Sequence, residues 1–162
     1  MPYIFGERSP LWNENARGCF IGLTSVHTKA HLTKALLEGI CFSIVDVMKA
    51  LEETSGSIKN IYLSGGITKS AVWVQLLADI SGKQILINDA ADASALGAAF
   101  IGMKATGLVK KITDAKMFLK NVKAFEPDMA NHRTYKKYFP IYKSLYEKLK
   151  DSFGELSLVS SE

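Results

Sequence analysis

Few residues in this chain have types and spacings suited to chemistry, and the most informative are glycines. Ile61-Tyr62-Leu63-Ser64-Gly65-Gly66-Ile67-Thr68-Lys69-Ser70 is an apolar, strand-like run that stops at two adjacent glycines, with a helix-like run soon after. A strand, a glycine turn and a helix start together let backbone N–H groups face an anion such as a phosphate. Glycine suits that place because it has no side chain to hold a ligand away and because φ > 0 is open to it. The same pair also suits a plain tight turn, and spacing alone does not choose between the two. A dinucleotide-binding oxidoreductase is disfavoured: its fingerprint needs GxGxxG with an acidic residue after the next strand, and Gly65-Gly66-Ile67-Thr68-Lys69-Ser70 does not supply it.

The other candidates point to structure. His27 and His31 are four apart, a spacing that puts two imidazoles on one helical face. No third ligand accompanies them and the Glu of HExxH is missing, so they read as helix-start histidines with polar partners. Cys19 and Cys41 lie in apolar settings, form no CxxC pair, and read as buried free thiols. Asp79 falls in the helix after the glycines. Asp89 and Asp92 precede a small-residue helix, where an acid suits the N-cap and the helix dipole. Tyr3 to Trp12 mixes large apolar groups with Glu7 and Arg8, with Arg17 close behind. Such a loop is either pinned beneath other elements by an ion pair or lines a cleft.

The elements that must position these residues follow from periodicity. Residues 1–24 read as irregular to extended, with a short strand at Cys19-Phe20-Ile21-Gly22-Leu23. A long helix is predicted from about Thr28 to Glu53, capped by Ser25 or Thr28 and ended by Gly56. Leu32, Ala35, Leu36, Gly39, Phe42, Ser43, Val47 and Leu51 make its apolar face; Lys34, Asp46, Lys49, Glu52 and Glu53 fall largely elsewhere. Residues 58–64 predict a strand and 69–81 a helix, with Val72, Leu76, Leu77 and Ile80 on one face and Gly82 as its cap. Gln84–Ile87 predicts a buried strand, and Ala93–Ala105 a helix whose Gly97, Ala98, Ala99 and Gly102 permit very close packing. Residues 107–130 are Lys-rich and less regular. A final helix from about Asn131 carries an aromatic stripe with a kink expected at Pro140. That stripe reads as a core-packing face beside solvated lysines rather than a nucleic-acid surface.

The alternation is an α/β pattern with parallel pairing. Two strands are clear and a third is offered near Phe20, which is a thin sheet for three or four helices, so the chain looks like part of a larger fold. Its 162 residues suit one domain. With 48% hydrophobic and 22% charged residues and a net charge of +4, it has an ordinary globular composition, which calls for neither nucleic acid nor membrane. A small anionic ligand would be comfortable. No signal-peptide pattern or bilayer-length apolar run is evident, so the chain reads as cytoplasmic.

Four ordered motifs give the chain a family likeness. Pro2-Tyr3-Ile4-Phe5-Gly6-Glu7-Arg8-Ser9-Pro10-Leu11-Trp12 with Ala16-Arg17-Gly18 resembles the loop PYxxGERxPxW…ARG of the FGGY carbohydrate kinases, which include glycerol kinase, xylulokinase and gluconokinase. Gly18 to Leu23, His31-Leu32 and Ala35 to Gly39 are similar to the second FGGY signature. Ser64-Gly65-Gly66 followed by Trp73, Gln75, Ala78-Asp79 and Gly82 resembles the family's adenosine motif and its helix. Ala93 to Ala99 resembles the small-residue helix that follows, and Glu126-Pro127-Asp128, His132, Tyr135 and Leu145-Tyr146 the C-terminal helix. Asp92 stands where the family usually has Glu, Leu36 where a smaller or β-branched residue is usual, and Ser70 where glycerol kinases have Asn near the nucleotide.

The resemblance implies the C-terminal portion of an actin-like (ribonuclease H-like) ATPase domain, an incomplete sheet with flanking helices. It divides residues 1–162 into a loop and strand (1–24), a long helix (25–56), an adenosine-motif αβ unit (58–106) and a C-terminal helical region (107–162). The implied activity is phosphoryl transfer from ATP, with Mg²⁺, to a hydroxyl of a carbohydrate such as gluconate or xylulose, and the GERxPLW form leans toward gluconokinase. Gly65 and Gly66 would let adenosine and the α-phosphate approach the backbone, with Ser70 as a side-chain contact. Glu7, Arg8 and Arg17 would organise the loop beneath the cleft. No residue matches the catalytic Asp, so the resemblance places the base and the sugar pocket outside this chain and leaves it inactive alone. A second reading, from the incomplete sheet, is a non-catalytic fragment that self-associates through exposed strand edges, with homo-oligomers as its product.

Overall fold

The computed structural model describes residues 1–87, 93–114 and 123–159. Helix α1 spans Lys29–Ser55, with Thr28 at its N-cap and Gly56 (φ +82°) closing it through an N–H bond to Glu52 O, as expected. Strand β1 (Asn60–Leu63) leads into a single 3₁₀ turn, Gly66–Lys69, and then into α2 (Ala71–Ser81). Gly82 ends α2 in the left-handed conformation, its N–H on Ala78 O. Strand β2 (Gln84–Ile87), α3 (Ala93–Ala105), β3 (Lys123–Phe125) and α4 (Met129–Val159) complete the order. The expected N-cap acids Asp89 and Asp92 lie outside the described residues.

The sheet runs β1–β2–β3. The first pair is parallel, with Ile61 opposite Ile85, and β3 returns antiparallel, with Phe125 opposite the same Ile85. The third strand is therefore β3 and not Cys19–Leu23, which forms no strand. In that run Phe20, Ile21 and Leu23 are about half exposed.

One core joins α1, α2, α4 and β2. Cys41, Val74, Leu77 and Ile85 are fully buried, and Phe42, Phe139, Tyr142 and Tyr146 close around them. Of the Tyr135-to-Leu149 stripe, Phe139, Tyr142 and Tyr146 lie in the core and Tyr135 and Leu149 pack against it, whereas Tyr138 is exposed. α4 continues through Pro140 as one helix, which Pro permits on an exposed turn at the cost of one backbone bond.

Two expected faces differ in single residues. On α2 Leu77 and Ile80 are buried and Leu76 packs against the core, as expected, together with the buried Val74, Ala78, Asp79 and Ser81, whereas Val72 is 77% exposed. The 3₁₀ turn takes up Gly66–Lys69, and the α-helix begins only at Ala71. On α1 Asp46 is buried and not on the solvated side; Lys143 Nζ from α4 lies 2.8 Å from its carboxylate. A buried carboxylate needs such a partner.

Candidate functional site

The glycine corner sits at the carboxyl end of β1. Gly65 has φ +85°, a conformation that L side chains rarely adopt, and Gly66 opens the 3₁₀ turn with ordinary φ. A Cβ built on either residue meets nothing within 4 Å. Gly65 is therefore required by backbone conformation, whereas no contact within the described structure requires Gly66. Ser64, Gly65 and Gly66 are all exposed. The corner is held by local bonds: Thr68 N and Oγ1 both donate to Gly65 O (3.2 and 2.7 Å), and Ser70 N donates to Ile67 O (3.1 Å).

Ser70 is the N-cap of α2, its Oγ accepting from Trp73 N at 3.3 Å. Its hydroxyl proton remains to be donated, so capping and a ligand contact are compatible. Gly65, Gly66 and Ser70 thus come together on one exposed corner, but the glycines face the start of a 3₁₀ turn and not that of α2. Beside the corner a groove of about 990 Å³ runs between α1, α2 and α4, reaching Ala71, Val72 and Gln75.

What fixes α2 in place was not assigned by sequence reasoning. The Asp79 carboxylate is 5% exposed and accepts from Gln75 Nε2 (2.8 Å), Asp128 N (2.9 Å) and Asn131 Nδ2 (2.9 Å). His132 Nδ1 lies 3.0 Å from Asp79 O, and Gln75 also donates to Glu126 O. These bonds tie α2 to the segment entering α4. The aspartate has three neutral donors and, among the described residues, no cation. The signal was present in the spacing of Gln75 and Asp79, one helical turn apart; the partners about 50 residues on were not legible.

Glu7, Arg8 and Arg17 hold the first loop by hydrogen bonds, and among the described residues none of the three forms an ion pair. Glu7 accepts from Ser43 Oγ and Arg8 N, while Arg17 donates to Glu14 O, Ala16 O and, on α4, Ser157 Oγ. Tyr3 is buried, its hydroxyl 2.5 Å from that of Tyr142, and burial pushes it up to about 12. Burial likewise pushes the Cys41 thiol up to about 12, as a buried free cysteine requires. His27 and His31 find polar partners in Thr24 and Thr28, as expected.

A parallel β–turn–α unit with an open glycine corner at the carboxyl end of its strand is the architecture of ligand-binding α/β proteins. The family model described as "FGGY family of carbohydrate kinases, C-terminal domain" matches residues 1–106. Over 157 residues the chain is 32% identical to a gluconokinase of Bacillus licheniformis, covering 96% of this chain and 31% of that protein. Over 161 residues it is 34% identical to a xylulose kinase of Staphylococcus epidermidis, covering 99% and 32%. It superposes on the structure of a ligand-bound xylulose kinase from Lactobacillus acidophilus with a TM-score of 0.88 and 34% identity, covering 96% and 32%. This chain belongs to the FGGY family of carbohydrate kinases, whose C-terminal domain it carries, and its three-stranded sheet with helices is part of an actin-like ATPase fold. It spans about a third of the length of the curated relatives it matches.

Proposed function

We propose that this chain supplies the nucleotide-holding part of an ATP-dependent carbohydrate kinase acting on a sugar acid or ketose such as gluconate or xylulose. Gly65 and Gly66 take the adenosine and α-phosphate side of ATP against the backbone, and Ser70 donates its hydroxyl. The reading rests on the family match together with one observation: the space a Cβ would fill at either glycine is empty. Phosphoryl transfer needs a group to orient the sugar hydroxyl and charge to neutralise the phosphates. In this reading both come from the part of the kinase that this chain does not span. The described residues bring together no group of three His, Cys, Asp or Glu side chains, so Mg²⁺ is assigned to none of them.

Gly66 gives a clean test, because neither backbone strain nor a neighbour opposes a side chain there. Gly66→Val is expected to leave the unfolding free energy within about 0.5 kcal/mol of wild type. Calorimetric titration with ATP at millimolar concentrations should detect binding to the wild-type chain and a loss of about ten-fold or more in the variant. Equal ATP affinity in the two proteins removes the assignment of the glycines. Binding to neither removes the nucleotide reading of this chain and leaves its family membership standing.

A further inference from the structure

The residues leading into α1 repeat one device. Thr24-Ser25-Val26-His27 and Thr28-Lys29-Ala30-His31 are consecutive Thr-x-x-His segments. Thr24 N donates to His27 Nδ1 at 3.0 Å, and Thr28 N donates to His31 Nδ1 at 3.1 Å. Each threonine hydroxyl lies against the same ring nitrogen, at 3.0 and 2.9 Å. His31 thus occupies the place that Glu or Gln takes in a capping box, and the preceding turn copies it. The two rings meet edge to face with centroids 5.6 Å apart.

A backbone N–H can only donate, so Nδ1 of each histidine is the acceptor and the proton sits on Nε2. We propose that this tandem is a proton-operated cap, which holds residues 24–31 at the head of α1 while both imidazoles are neutral and releases them in acid. A proton added at Nδ1 removes the lone pair that the amide uses. On His31 the new N–H turns to Thr28 Oγ1; on His27 it turns to Thr24 Oγ1 or to Thr24 O, 3.4 Å away. Both amides then lose their partner. Two imidazolium rings in contact repel, and each faces the positive end of the helix dipole.

Among the described residues, the other charged groups that line the surrounding groove already have partners. Both histidines line a groove of about 440 Å³ that also holds Cys19, Glu38, Tyr138, Tyr142 and the Met1 amino group. Glu38 is engaged by Lys34 and the Tyr135 hydroxyl, Tyr142 by Tyr3, and the amino group by Cys19 O. Lys29 and Lys34 are the remaining charged groups on this stretch of α1, and both only oppose a second positive charge. Release would free Ile21 to Val26, already exposed throughout, and open one wall of the groove.

Amide hydrogen exchange on the full chain, corrected for the intrinsic effect of pH, tests this. Protection at Thr28 should fall about five-fold from about pH 8 to about pH 5. In His31→Gln the acceptor is retained without a titrating group, so Thr28 should stay protected across the same range. Acid loss of protection that is equal in wild type and in the His27→Gln/His31→Gln double variant overturns the proposal, as does constant protection in the wild type. Nitrogen-15 shifts of the imidazoles give a second readout: a protonated Nδ1 at alkaline pH also overturns it.

Discussion

The two sides of this molecule are built to different degrees of completion. Where α1, α2, α4 and β2 meet, Cys41, Val74, Leu77 and Ile85 are fully buried, and Phe42, Phe139, Tyr142 and Tyr146 close around them. On α3 the same kind of residue is uncovered: of Ala93–Ala105 only Ser94 and Lys104 are polar, yet Ile101 is 62% exposed and Phe100 alone is buried among the described side chains. Tyr62 on β1 and Val72 at the start of α2 are exposed as well, at 65% and 77%. A helix that is apolar all round belongs inside a protein. The glycine corner, between β1 and α2, is exposed in the same way. The contrast fits a domain whose central core is complete within this chain while α3 and the corner are left uncovered, in keeping with a span of about a third of its relatives.

Substitutions should fall unequally on the two sides. The largest effect is expected at Leu77, fully buried, where Leu77→Ala should lower the urea unfolding free energy by about 3 kcal/mol through lost burial and a residual cavity. Next comes Asp79→Ala, which strands Gln75, Asn131 and the Asp128 amide; a loss of about 2 kcal/mol is expected in the same measurement. Acid should then probe Glu52, held below the usual carboxylate range first by its bond to Lys83 and then by the Ile58 amide. Because its folded value is lowered, its contribution is present above the unfolded carboxylate value of about 4.3 and is lost as pH falls through the folded one. Stability curves of Glu52→Gln and wild type should therefore converge in acid and separate above that window. The smallest effect belongs to the open side: Ile101→Ala should change stability by less than about 0.5 kcal/mol. A cost at Ile101 close to that at Leu77 would abolish the contrast.

Local chemistry made much of this fold legible in the sequence. Thr28, Gly56 and Gly82 marked helix ends because caps depend on one or two residues, and Gln84–Ile87 and Ala93–Ala105 were read with their observed bounds. The glycine corner was legible as a turn and, through four ordered motifs, as a family feature. What escaped depended on distant partners. Strand β3 is three residues long and exists because β2 offers an edge; Asp46 is buried because Lys143 reaches it from another helix. Of the expected α2 face only Val72 is exposed; it lies in the first turn of a helix that starts after a 3₁₀ turn, and periodicity does not reveal where one helical form replaces another.

The first loop carries a consequence for how the chain is made. Tyr3 meets Tyr142, Asn13 donates to Tyr146, and Arg17 reaches Ser157, separations of 139, 133 and 140 residues. None of these bonds exists until α4 has left the ribosome, although the loop is the earliest of these segments to emerge. Loop closures of that length are entropically expensive and slow a search. During synthesis the loop must wait, with Phe5 and Trp12 already facing solvent in the finished fold and Tyr3 not yet covered. Helix α4, translated well after the loop, is thus the lock for that earlier segment.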